Sequence, residues 1–237
     1  MASKATQAQT PHDEAKTGHL LARPHPPTVE APERGLRPLG LGARRDGLLY
    51  VPKGYREEQP VPLVVMLHGA GGNARHALSP WQKLADEAGV LLLAPESRGS
   101  TWDIIVEDNY GQDVAFIDRA LAYVFERYSV DPRHIAIEGF SDGASYALSL
   151  GLTNGDLFTH VVAFSPGFLA PAAQRGEPRL FISHGVKDEV LRIGPCSRRI
   201  VPRVQGAGYP VLYREFDGPH TVPEDIASEA LSWFTAR

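Results

Sequence analysis

The sequence predicts an α/β fold, a mainly parallel central sheet with helices on both faces. Three observations carry that prediction. Short continuous apolar runs recur from about residue 45 onward, as strands covered on both faces require. Between them lie stretches whose apolar residues step by three and four, the stripe of a helix packed on a sheet. Strand and helix alternate many times, which calls for a sheet between two helical layers. At 237 residues, 43% of them hydrophobic, the chain is long and apolar enough for one globular domain.

Taken in order, residues 1–44 read as a flexible Pro-rich leader and 45–237 as the folded domain. Pro11, Pro24, Pro26, Pro27, Pro32 and Pro38 punctuate a polar stretch that cannot bury enough surface to order by itself. Its Leu20, Leu21 and Val29 are the candidates for docking on the domain. Leu48–Val51 reads as an outer strand, Leu63–Leu67 as the first buried strand and Val90–Ala94 as the next. A long loop from Glu96 to Gln112 follows, without any period. Val114, Ile117, Leu121, Val124, Phe125 and Tyr128 form the clearest helical stripe. Ile135–Ile137 is a buried strand, and a helix from Asp142 to Thr153 stops at Asn154-Gly155. His160–Phe164 and Leu180–Ile182 are further buried strands, joined by a short connection, Ser165–Pro178. Val211–Phe216 is the second outer strand, and a final helix runs from about Pro223 to Phe234 with acids in its first turn.

The chemistry centres on Gly139-Phe140-Ser141-Asp142-Gly143, a G-x-S-x-G pattern set between a strand and a helix. A direct turn from strand into helix presents the Ser hydroxyl at the sheet's carboxyl edge, over the free N–H groups of the helix start. A Ser hydroxyl needs a base, and the base an orienting acid. Asp188 follows the strand 180–182 and His220 follows the strand 211–216, so both fall at the same edge. Glu189 competes with Asp188 for the role of acid. His68 and His184 each precede a Gly, where a turn role is the simpler account. The run His68-Gly69-Ala70-Gly71-Gly72 follows the first buried strand but lacks the Lys-Ser/Thr of a P-loop. It fits an oxyanion hole, with Ala70 and Asp142 N–H as donors and Gly71 the alternative to Ala70. The Asp142 carboxylate has a plain role in favourable contact with the helix dipole.

These pieces resemble the α/β-hydrolase superfamily, and within it the small cap-less esterases of the phospholipase/carboxylesterase and polyhydroxybutyrate-depolymerase-like groups. The resemblance covers about residues 46–237. It rests on the two glycine motifs, on His184-Gly185 with Asp188, on Gly218-Pro219-His220, and on the loop beginning Glu96-Ser97-Arg98-Gly99. It implies Ser141 as nucleophile, Asp188 as acid and His220 as base. Asp142 departs from the Gln or Asn often found beside the nucleophile. The connection 165–178 is too short for a lid domain, so the substrate should meet an open groove. Trp102, Tyr110 and Phe168 are the expected apolar walls for an acyl or aryl group. The expected reaction is ester hydrolysis through an acyl-enzyme. Thioester hydrolysis, acyl transfer, and a hydrolase fold kept as a small-molecule receptor are the alternatives.

Composition narrows the rest. With 24 Lys+Arg against 28 Asp+Glu, the net charge of −4 argues against a nucleic-acid binder. Nine His without an H-E-x-x-H and a single Cys imply neither a metal nor another cofactor. Cys196 cannot form an internal disulfide, and no apolar run approaches the ~20 residues of a membrane span. Residues Met1 to Gln7 lack the apolar core of a secretory signal, so the expectation is a soluble, cytoplasmic protein of undetermined oligomeric state.

Overall fold

The computed structural model describes residues 11–31, 33–42 and 44–236. The N-terminal signal reading and Pro32 lie outside the described residues. The chain begins with α1 (Pro11–Lys16), β1 (Gly35–Pro38), β2 (Gly47–Val51) and β3 (Val61–Leu67). Next come α2 (Ala74–Leu78), α3 (Ala85–Ala88), β4 (Leu91–Pro95), α4 (Asp103–Val106), α5 (Gln112–Arg127) and β5 (Val130–Phe140). It closes with α6 (Asp142–Thr153), β6 (His160–Phe164), β7 (Arg179–Gly185), α7 (Ser197–Gly206), β8 (Val211–Phe216) and α8 (Glu224–Thr235).

The strands form one eight-stranded sheet in the order β1-β2-β4-β3-β5-β6-β7-β8. β1 and β2 are antiparallel to their neighbours, and β4 through β8 run parallel. Alternate residues of the continuous apolar runs serve opposite layers, as the two-residue side-chain period dictates. Leu63, Val65 and Leu67 of β3 face one core with α5, α6 and α7, whereas Val64 and Met66 face the other with α2 and α8. The predicted helix Asp142–Thr153 forms with the same bounds. The connection 165–178 contains no helix, so it supplies no lid domain over the carboxyl edge.

The boundary expected at residue 44 is not where packing begins. Leu20 is fully buried; its N–H donates to Asn154 Oδ1 at 2.8 Å, and Asn154 Nδ2 donates to the Gly18 carbonyl at 2.8 Å. Leu21 and Ala22 N–H both donate to Asp118 Oδ1. β1 extends the sheet beyond β2, so Leu48–Val51 is not the edge. A side chain of α5 and that of Asn154, just past the end of α6, thus satisfy a backbone that shows no period of its own. Leu21 and Val29 stay exposed. Among the described residues no helix is long and apolar enough to cross a membrane.

Candidate active site

The site is built where β5 ends. Ser141 takes φ 58°, ψ −120°, a left-handed conformation rare outside glycine, and α6 starts at the next residue. The turn is held by Ser141 N–H donating to the Phe164 carbonyl at 2.9 Å, while Ala144 and Ser145 N–H donate to the Ser141 carbonyl. Close approach explains the flanking glycines. A Cβ on Gly143 would overlap the Leu67 carbonyl of β3, and one on Gly139 would overlap the Gly143 backbone.

Two further strand ends supply the partners. The loops after β7 and β8 are stitched together by Val186 N–H to the Phe216 carbonyl and Lys187 N–H to the Gly218 carbonyl. This carries Asp188 and His220 to Ser141. His220 Nε2 lies 2.9 Å from Ser141 Oγ, and His220 Nδ1 lies 2.6 Å from Asp188 Oδ2. An ionised carboxylate only accepts, so Nδ1 carries the proton and Nε2 is left to accept from the Ser141 hydroxyl. Asp188 Oδ1 accepts from Val190 and Leu191 N–H at 2.9 and 2.8 Å. Burial alone would raise the Asp188 carboxyl, but the His220 and Leu191 hydrogen bonds outweigh it and leave the group below its ordinary range. The competing Glu189 is exposed and makes none of these contacts. The Phe140 ring packs 4.6 Å from the imidazole of His220.

The two glycine motifs meet here as well. Gly69 abuts Ser141, a Cβ on it falling 3.4 Å from the Ser141 Cβ. Ala70 and Asp142 N–H groups have no hydrogen-bond partner among the described residues. Gly71 differs from the expectation: its N–H is spent on the Ser100 carbonyl at 2.8 Å and is not free to donate elsewhere. His68 is a brace for this loop. Burial depresses its basicity, so the neutral ring accepts from Ser97 N–H at Nε2, while its carbonyl accepts from Trp102 Nε1. The loop after β4 supports both walls, because Thr101 Oγ1 donates to Asp142 Oδ2 at 2.7 Å.

The substrate walls expected from that loop are not walls. Trp102 is fully buried, stacked on Tyr146 at 5.0 Å, and so offers no face to a ligand. Tyr110 is also buried, with its hydroxyl donating to the Ala170 carbonyl at 3.0 Å, and burial pushes its pKa up to about 12. Phe168 is half-buried and packs against the core containing α6. Apolar surface near the acid loop comes instead from exposed Val186 and Val190. A surface depression of about 650 Å³ lies beside Asp188, with Lys187 and Arg192 among its lining.

Sequence reasoning missed two residues of the assembly. His184, read as a turn residue, is fully buried with Nε2 3.2 Å from Asp188 Oδ2, and Ser197 holds its other nitrogen. The signal was position: His184 sits at the end of the strand that delivers Asp188. Among the described residues no three His, Cys, Asp or Glu side chains are grouped to hold a metal ion.

The Esterase family model matches residues 40–193, more than half of the chain. Feruloyl esterase C of Emericella nidulans is 28% identical over 155 residues, covering 62% of this chain and 56% of that protein. The chain therefore spans little more than half the length of that relative, and less of some others. An S-formylglutathione hydrolase from Staphylococcus aureus superposes with a TM-score of 0.69 at 14% identity, covering 88% of this chain and all of that one. A ferulic acid esterase from Anaeromyces mucronatus gives a TM-score of 0.63 at 20% identity, with 86% of this chain and 90% of that one covered. At such identities these two likenesses establish the α/β-hydrolase fold.

Proposed function

Because the chain belongs to the Esterase family, we propose that it hydrolyses carboxylic esters of small or medium acyl and aryl groups through an acyl-enzyme. The observation that carries this reading is the continuous contact from Ser141 Oγ through His220 to Asp188. Ser141 Oγ attacks the ester carbonyl as His220 Nε2 takes its proton, and Asp188 stabilises the imidazolium. The oxyanion is held by the Ala70 and Asp142 N–H groups, which have no competing acceptor among the described residues. His220 then returns the proton to the leaving alcohol and, in the second half, draws one from water to release the acid.

The absence of a helix in 165–178 supports an open acyl site, and the likeness to a feruloyl esterase supports an aryl ester as substrate. A buried, lone Cys196 is in keeping with a reducing, cytoplasmic setting. The test is Ser141→Ala. Turnover of p-nitrophenyl acetate and methyl ferulate should fall by at least ~10³-fold with the circular dichroism spectrum unchanged. A fluorophosphonate probe should label the native chain at Ser141 and not the variant. Undiminished hydrolysis by the variant would end the proposal. Rates on matched thioesters, measured alongside, decide between ester and thioester hydrolysis.

A further inference from the structure

We propose that His184 is a positioning residue that acts on the triad through Asp188, with Ser197 fixing its tautomer. This rests on the reading of Ser141, His220 and Asp188 given above, and it adds a second imidazole to that site. His184 ends β7 next to Gly185 and is fully buried. Its Nε2 lies 2.6 Å from the Leu191 carbonyl oxygen and 3.2 Å from Asp188 Oδ2. A carbonyl only accepts, so the proton resides on Nε2. Nδ1 is therefore bare, and it accepts from the Ser197 hydroxyl at 2.7 Å. Burial depresses the basicity of the ring, in keeping with this neutral, singly protonated form.

Two consequences follow for Asp188. The His184 N–H anchors the Leu191 carbonyl, and the N–H of that same residue donates to Asp188 Oδ1. The turn that orients the carboxylate is thus tied back to the strand. The same Nε2–H, whose hydrogen bond goes to Leu191, also lies within 3.2 Å (N···O) of Oδ2, the oxygen against His220 Nδ1, so its partial positive charge acts on that carboxylate. It stabilises the ionised carboxylate and limits how strongly that oxygen holds the imidazolium. Of the surrounding charges, Lys187 pairs with Asp217 at 2.7 Å and Glu215, opposite His184 in the sheet, pairs with Arg198 at 2.8 Å, while Glu189 and Arg192 line the depression beside Asp188.

The experiment measures kcat/KM against pH on p-nitrophenyl acetate for the native chain, His184→Leu, His184→Gln and Ser197→Ala. Leu removes the N–H at similar bulk, and Gln keeps a donor at the same reach. Without the positive N–H near Oδ2, Asp188 holds the imidazolium proton more strongly, so the acid limb of the His184→Leu profile should move to higher pH by roughly 0.5–1 unit. Activity below that limb should fall about 3–10-fold accordingly. Ser197→Ala should move the limb the same way by less, which keeps the idea testable should His184→Leu fail to fold. His184→Gln should restore the native limb. An unmoved limb in the folded variants overturns the proposal, as does a shift that Gln does not reverse, which would assign the effect to packing. A native chain that neither turns over esters nor takes the fluorophosphonate label removes the underlying reading itself, and is told apart from an active chain with an unmoved limb.

Discussion

Gly143 and Ser141 show how closely single residues are constrained here. Ser141 holds a left-handed backbone conformation only because β5, α6 and the Phe164 carbonyl leave it no alternative. That clamp depends on α6 lying against β3, and the contact passes through the missing side chain of Gly143. Gly143→Ala should therefore cost at least ~2 kcal/mol in denaturant unfolding and remove turnover, since the obstruction is backbone that cannot rotate away. Gly54→Ala is the control, with nothing within 4 Å of the added carbon and an expected change near zero. Equal stability of the two variants would contradict the packing account. The G-x-S-x-G pattern was legible as chemistry from its spacing alone, whereas which backbone groups fill the space beside each glycine was not.

At the scale of elements, the loop 96–112 marks the limit of pattern reading. No period announces its structure, and its Trp and Tyr resemble exposed apolar walls. Its order comes from two carboxylates. Asp103 accepts from the Tyr146 hydroxyl and from Gly111 and Asp113 N–H, while Asp113 accepts from Arg98 and Asp103 N–H. These bonds pin α4 and draw Trp102 and Tyr110 inward. Burial raises the Asp113 carboxyl from 3.8 to about 6, with hydrogen bonds and Arg98 opposing it. A folded pKa above the unfolded one means that the folded chain binds this proton more tightly. The stability so gained is complete below about pH 4 and is lost as pH rises through 6. In thermal unfolding at pH 4, 5, 6 and 7, the difference in Tm between the native chain and Asp113→Asn should shift steadily against the native chain across that window. A difference independent of pH would show that Asp113 does not titrate there. α7 escaped notice for another reason: Pro202 lies inside it, and a proline argues against a helix in any local reading.

Over the whole molecule, the N-terminal segment belongs to the packed body. Leu20 enters the core that holds α5 and α6, and the side chains of Asn154 and Asp118 meet its neighbouring backbone. Leu20→Ala should cost about 2–5 kcal/mol, a fall in Tm of several degrees for a chain of this size. A change under ~0.5 kcal/mol would mean that the segment lies on the domain without supporting it. The same long-range logic places the site. Ser141, Asp188 and His220 come from the ends of β5, β7 and β8, and parallel pairing brings all three to one edge.

The sequence by itself determined the alternating layers, the bounds of α6, and the three side chains that meet at the carboxyl edge. The first two depend on local periodicity, and the third on each side chain following directly after a recognisable strand. Only the tertiary structure decided that Trp102 and Tyr110 turn inward, that the Gly71 N–H is already engaged, and that His184 stands against Asp188. Those outcomes depend on hydrogen bonds between segments far apart in sequence, such as Asp103 with Tyr146 and Gly71 with Ser100. Local spacing has no means of encoding which distant donor a buried acceptor will find.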